Sequence, residues 1–328
     1  MKVFLAPIGL HSPAMVRISK ALSTHLPSHH SIVQSQEEAD LCIFYPIGYD
    51  WTEHFAECIV RGQKYALVQC CYKTSGGTFE MWKPWWDKAV VVWSYLDLVT
   101  PQRFEITTHS DSKRKYIDQT ITDFNYYSAP LGIDDAFLQP ILTHPKRDYI
   151  VTTGTVHGVG AEAIEECWGA AGRCNLDVVH VGTWPVGIEN GIDINSDITI
   201  YNLTNVRQVT NVTDRTLRGI YQNALYTCSL RYVEGFELPA LESLSCGTRA
   251  IVFTQPATTK WYFKYADFVP ECEGEELVNR LVDKFSLSHY EPLSQSTIEE
   301  VRRMFDWRVI CERFWKIVDM EVHNESGV

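Results

Sequence analysis

Short runs of almost wholly apolar residues recur along this chain, and stretches with helical spacing follow them. KVFLAP (2–7), LCIFY (41–45), YALVQCC (65–71) and AVVVW (89–93) are too short for buried helices and too uniformly apolar for half-exposed strands. Such runs fit a parallel sheet covered on both faces. PAMVRISKALSTH (13–25) sets Met15, Ile18 and Leu22 on one helical side, with Arg17 and Lys20 outside it. The pattern then restarts. Strands are predicted at 148–154, 176–182, 225–230 and 249–253, and helices at 161–171 and 213–224. Strand–helix alternation that appears twice predicts two doubly wound α/β domains. A length of 328 residues suits two domains of roughly 100–200 residues each. The boundary is placed at SAPLGIDDAFLQP (128–140), where Pro and Gly cluster. DSKRKYID (111–118) reads as a charged turn or helix start. Residues 296–318 read as one long helix carrying Val301, Phe305, Ile310, Phe314 and Ile317.

Charge and cysteine usage narrow the function classes. The net charge is −12, which disfavours general binding of duplex DNA or anionic lipid, because phosphate neutralisation dominates such affinity. The ten cysteines include no Cys-x-x-Cys spacing and read as buried reduced thiols. The start, MKVFLAPIGLHSP, lacks the form of a signal peptide, and no apolar run reaches membrane-spanning length. A cytoplasmic location is expected, the host cytoplasm if the chain is viral.

EGFELPALESLSCGT (234–248) carries the most chemistry. It follows the predicted strand 225–230, and Leu238-Pro239 opens a helix, since Pro is tolerated in a first helical turn. Gly235 supplies a permissive backbone. Amides at the helix start, backed by the helix dipole, favour an anion. Glu234 stands before the helix and Glu242 about one turn inside it. Carboxylates accept hydrogen bonds from vicinal hydroxyls, as on a sugar or a ribose. A nucleotide sugar fits this arrangement. A capped helix with two solvated carboxylates fits the same pattern.

EGFELPALESLSCGTRAIVF resembles the donor-site signature of glycosyltransferases of the GT-B fold, especially family four, whose usual form is E-G-F-G-L-P-x-x-E-A-M-A-x-G-T-P-V-V. APLGIDDAF (129–137) is similar to the family's interdomain P-N-G-V-D-x-x-x-F, and FDWRVICERFWKIV (305–318) to its closing helix. The resemblance covers most of residues 128–318. It implies two Rossmann-like domains facing a central cleft: an acceptor domain at 1–135, a donor domain at 140–300, and a closing helix at 301–328 that crosses back to the first domain. It implies transfer of a sugar from a UDP- or GDP-sugar to a hydroxyl, with retention of configuration. No metal and no cofactor are implied, the nucleotide sugar being a co-substrate. Glu234 would contact the donor sugar and Glu242 the ribose. Gly235, Phe236, Glu237 and Leu238 would offer backbone amides.

This chain departs from the family at two points. The family's Arg and Lys from the first loop of the donor domain are missing from TTGTVHGVG (152–160), which offers Gly154 and His157 instead. Arg231, three residues before Glu234, is the candidate to replace them. Glu237 occupies the family's third Gly and is expected to narrow the sugar pocket or exchange a sugar contact.

In the first domain, His11 lies in the loop after the first strand. That loop is similar to the G-H-x-x-P loop of family-one glycosyltransferases, whose His is a general base. A His hydrogen-bonded at a helix start fits equally. FEMWKPWWDKAVVVW (79–93) sets Trp82, Lys83, Trp85 and Trp86 together, and with Lys73 these are the candidate acceptor residues. Core packing of a helix accounts for the same tryptophans. The acceptor classes are a glycan, a lipid-linked precursor, a small molecule or a nucleic acid. The alternatives are a bacteriophage-type enzyme that glycosylates hydroxymethylated pyrimidines in DNA, and a glycosyltransferase-like binding subunit without activity.

Overall fold

The computed structural model describes residues 1–8, 13–46, 52–69, 79–95, 102–106, 115–119, 126–141, 148–155, 162–183, 205–232, 236–286 and 290–324. The chain divides into two compact units. One is Met1–Gly132 together with Phe305–Val328, and the other is Ile133–Met304.

The first unit begins with β1 (Lys2–Leu5), β2 (Ser31–Ile32), β3 (Leu41–Phe44), β4 (Lys64–Val68) and β5 (Val92–Ser94). An antiparallel pair follows, β6 (Gln102–Ile106) with β7 (Lys115–Gln119), and then β8 (Tyr126–Ser128). Its main sheet runs β2-β1-β3-β4-β5-β8, all pairs parallel. Every residue of β3 is buried, as a strand covered on both faces requires. The charged stretch 111–118 does not start a helix over its described part. Residues from Lys115 onward pair with β6, with Arg103 across from Asp118. The partner strand that satisfies this backbone lies a dozen residues upstream, so charge alone reads as a turn.

The predicted tail helix is two helices. Gln295–Met304 ends the second unit and Trp307–Asn324 belongs to the first. Asp306 makes the break, its Oδ1 accepting the Arg308 amide at 2.8 Å as a helix cap does. In the first unit, Phe314 of the C-terminal helix packs 5.5 Å from Trp93, and the Tyr127 hydroxyl donates to the Ile310 carbonyl at 3.0 Å. Gly132 meets the Trp307 indole, where a Cβ would stand 2.3 Å from a ring carbon. That contact accounts for a residue without a side chain in APLGID.

The second unit holds β9 (Tyr149–Thr155), β10 (Asp177–Thr183), β11 (Val206–Val209), β12 (Tyr226–Ser229), β13 (Arg249–Phe253) and β14 (Asp267–Val269). Its parallel sheet runs β11-β10-β9-β12-β13-β14. Helices Ile164–Arg173 and Gly274–Phe285 cover it, with Trp168, Leu277 and Leu281 in the core. No helix among the described residues is long and apolar enough to cross a membrane.

Candidate functional site

Strand order in the second sheet runs outward in two directions from between β9 and β12. The crevice outside the carboxyl ends of such neighbours is where open α/β sheets bind ligands. β9 ends at Gly154 and Thr155, and β12 leads into the motif. Residues from the two sides meet here. Glu162 and Arg231 form an antiparallel bridge, and the Ala163 amide donates to the Leu230 carbonyl at 2.9 Å. Arg231 Nε donates to Glu162 Oε1 at 2.8 Å, and a terminal guanidinium nitrogen reaches the same oxygen. The Glu162 carboxylate sits on Gly154, where a Cβ would come within 2.0 Å of Oε2. Gly154 has φ +127°, a region that side chains rarely adopt. Arg231 is therefore fixed in place, yet its side chain keeps 43% exposure.

The motif helix spans Leu238–Ser245, with Glu237 as N-cap and Pro in its first turn. Phe236 is buried against Tyr262 and Trp261, ring centroids 5.4 and 6.3 Å away. Glu237 is buried as well. Its Oε2 accepts the Ser229 hydroxyl at 2.7 Å, and its carbonyl accepts the Tyr262 hydroxyl at 2.9 Å. Through the Ser229 contact, Glu237 ties the end of β12 to the helix start. Glu242 is 4% exposed and accepts the Tyr221 hydroxyl at 3.2 Å. Gln255 Nε2 donates to the Arg231 and Tyr232 carbonyls at 2.8 and 2.9 Å, holding the chain as it leaves β12.

Midway along β9 and β10 lies a buried polar group that the sequence does not advertise. Trp168 Nε1 donates to the Thr152 hydroxyl at 3.1 Å, and that hydroxyl lies 3.0 Å from His180 Nδ1. With its oxygen accepting from Trp168, Thr152 has its proton to give to Nδ1. Burial pushes the His180 pKa from 6.5 down to about 4, offset in part by the Gly154 carbonyl. The unfolded chain therefore takes up a proton near 6.5, whereas the folded chain resists it until about 4. Stability from this site is complete above 6.5 and is lost as pH falls toward 4, by roughly 3 kcal/mol at 1.36 kcal/mol per pH unit. Urea midpoints of the second unit are expected to drop across this window in the wild type. In His180→Gln, a drop smaller by about the His180 contribution is expected over the same range.

The described residues thus bring together Gly154, Arg231, Phe236, Glu237, Leu238 and Glu242 in one unit. Glu234, Gly235, His157, His11 and Lys73 lie outside the described residues. The candidate acceptor tryptophans are corrected in part. Trp82 and Trp86 are 0% exposed, so neither ring has a face to stack on an acceptor. Trp86 donates to Gln69 Oε1 at 3.2 Å inside the core. Trp85 is half-buried and meets Phe55 edge-on at 5.7 Å, while Lys83 pairs with Asp87 at 2.9 Å. Sequence reasoning missed Glu162, Ser229, Tyr221 and Gln255, whose partners are distant in sequence or ordinary in type.

Two parallel six-stranded sheets, each wrapped by helices, make this the GT-B fold, the fold class of many glycosyltransferases. Sucrose-phosphate synthase from Thermosynechococcus elongatus aligns with TM-score 0.62 and 14% identity, over 97% of this chain and 81% of that one. Anabaena HepE, solved in complex with UDP-glucose, aligns with TM-score 0.66 and 11% identity, over 97% and 99%. A glycosyltransferase from Rickettsia africae aligns with TM-score 0.64 and 10% identity, over 98% of each chain. The sequence matches no protein-family model and no curated protein.

Proposed function

We propose that this chain is a glycosyltransferase that moves a sugar from a nucleotide-diphosphate sugar to a hydroxyl acceptor. The observation that carries the reading is Arg231. It is fixed by Glu162 at the switch point of the second sheet, keeps 43% of its side chain exposed, and stands in sequence before the motif helix. A guanidinium and a helix start are what a diphosphate needs from a protein, since they supply charge and amide donors without reorganising. In this reading Arg231 takes the diphosphate, Glu234 the sugar hydroxyls and Glu242 the ribose. Gly235, Phe236 and Leu238 contribute backbone amides, and Gly154 and His157 line the phosphate side. The donor belongs to the UDP-sugar class, a reading supported by the UDP-glucose bound to HepE.

The transfer proceeds with retention and without a divalent ion. His11 is the base only if the course is inverting. Purified protein incubated with labelled UDP-sugar and water is expected to release free sugar slowly, at a rate unchanged by EDTA, with the anomer of the donor. An inverted product whose formation stops in His11→Ala would reverse the stereochemical reading. Activity that EDTA removes would reverse the metal reading.

A further inference from the structure

Away from the donor motif, three ligand-type side chains converge in the first unit. The turn after the first helix carries His29 and His30, and the C-terminal helix carries Asp319. His30 Nε2 lies 2.8 Å from Asp319 Oδ1, and His29 Nε2 lies 3.0 Å from Asp319 Oδ2. The ligand atoms of all three residues fall within 4.8 Å of one another. A second observation concerns His30 itself. Its side chain is 2% exposed, yet neither ring nitrogen has an aligned hydrogen-bond partner among the described residues. Buried imidazoles ordinarily bond through at least one nitrogen. This one sets Nε2 within ion-pair distance of the Asp319 carboxylate but out of hydrogen-bond alignment, an arrangement that suits two ligands of one ion.

The surroundings favour a built site. The turn is held by the His30 amide on the Pro27 carbonyl at 2.9 Å and by the amino terminus on the His29 carbonyl at 3.1 Å. The buried Trp315 ring packs 5.6 Å from His30, so the imidazole cannot swing away. Asp319 also lines an open pocket with His25, Pro27 and Glu312, which leaves a route in for an ion and its water.

We propose that His29, His30 and Asp319 bind one transition-metal ion of the zinc class, which fastens the C-terminal helix to the turn after the first helix. Two imidazoles and a carboxylate suit borderline divalent ions such as Zn²⁺, with water in the remaining position. Ligand atoms on a tetrahedral zinc stand roughly 3.3 Å apart, so the two His–Asp spacings of 2.8 and 3.0 Å need to open by only a few tenths of an ångström. The site is independent of the donor reading, which asks for no metal at the diphosphate.

The test is a titration of ZnCl₂ into the full-length chain after stripping with EDTA, read by calorimetry and by thermal melting. One ion per chain is expected, with a melting temperature that rises with free Zn²⁺ by mass action. His29→Gln changes an exposed side chain and is expected to leave melting in EDTA unchanged while weakening Zn²⁺ binding at least tenfold. Asp319→Asn is expected to weaken it at least as much. Failure of the wild type to bind would overturn the proposal. So would undiminished binding in both variants, which would place the ion on other His or Cys residues.

Discussion

Gly182→Ala is expected to destabilise the second unit by about 3 kcal/mol or more. Gly182 of β10 pairs in register with Gly154 of β9. A Cβ on Gly182 would lie 1.8 Å from the Gly154 carbonyl oxygen and 3.0 Å from His180 Nε2. The first of these is backbone, which no rotamer change can move, so the two strands would have to part. Gly154 has little room to yield, because the Glu162 carboxylate sits against it and Arg231 holds Glu162. The strain therefore reaches the proposed phosphate site. Denaturant unfolding of the second unit is the measurement. A midpoint within error of the wild type would contradict the packing described at the ends of β9 and β10.

Glu234→Ala is expected to cut sugar transfer roughly 10²–10³-fold with the melting temperature preserved. In the proposed reading its carboxylate accepts donor hydroxyls while the glycosidic bond is breaking, and such charged hydrogen bonds strengthen as charge develops. The loss is expected mainly in kcat. Glu242→Gln acts on a different part of the donor and is expected to weaken nucleotide binding, with a smaller effect on kcat. Its reading is complicated in a useful way by Tyr221, which donates to the same carboxylate. Tyr221→Phe removes that donor alone, so it separates positioning of Glu242 from ribose contact. Transfer by Glu234→Ala at the wild-type rate would refute the role of the first carboxylate.

What was legible in the sequence is what local pattern controls. Uniformly apolar runs such as LCIFY announce strands buried on both faces, and Leu238-Pro239 announces the motif helix at the residue where it begins. The break in the tail was hidden because Phe305 continues the apolar spacing. Asp306 signals a cap only when the chain is known to pass between units there. The ion pair of Glu162 with Arg231 spans 69 positions and has no local signature. Glu237 reads as a departure in a family pattern until Ser229 is placed beneath it. The tryptophans of residues 82–86 show the reverse problem. Aromatic and basic residues suggest a binding face, but burial is a tertiary property, and Trp82 and Trp86 belong to the core. His180 is equally silent in sequence, a His in an apolar strand whose partner Thr152 lies on the neighbouring strand.

In the proposed function, Arg231 and the motif helix hold a nucleotide diphosphate. Calorimetric titration of wild-type and Arg231→Ala protein with UDP-glucose and with uridine tests it most directly. UDP-glucose is expected to bind the wild type and raise its melting temperature. Arg231→Ala is predicted to weaken UDP-glucose roughly 10- to 100-fold, the worth of a charged hydrogen bond, and to leave uridine almost unaffected. Equal affinity of the two proteins for UDP-glucose, with other nucleotide-diphosphate sugars behaving alike, would contradict it.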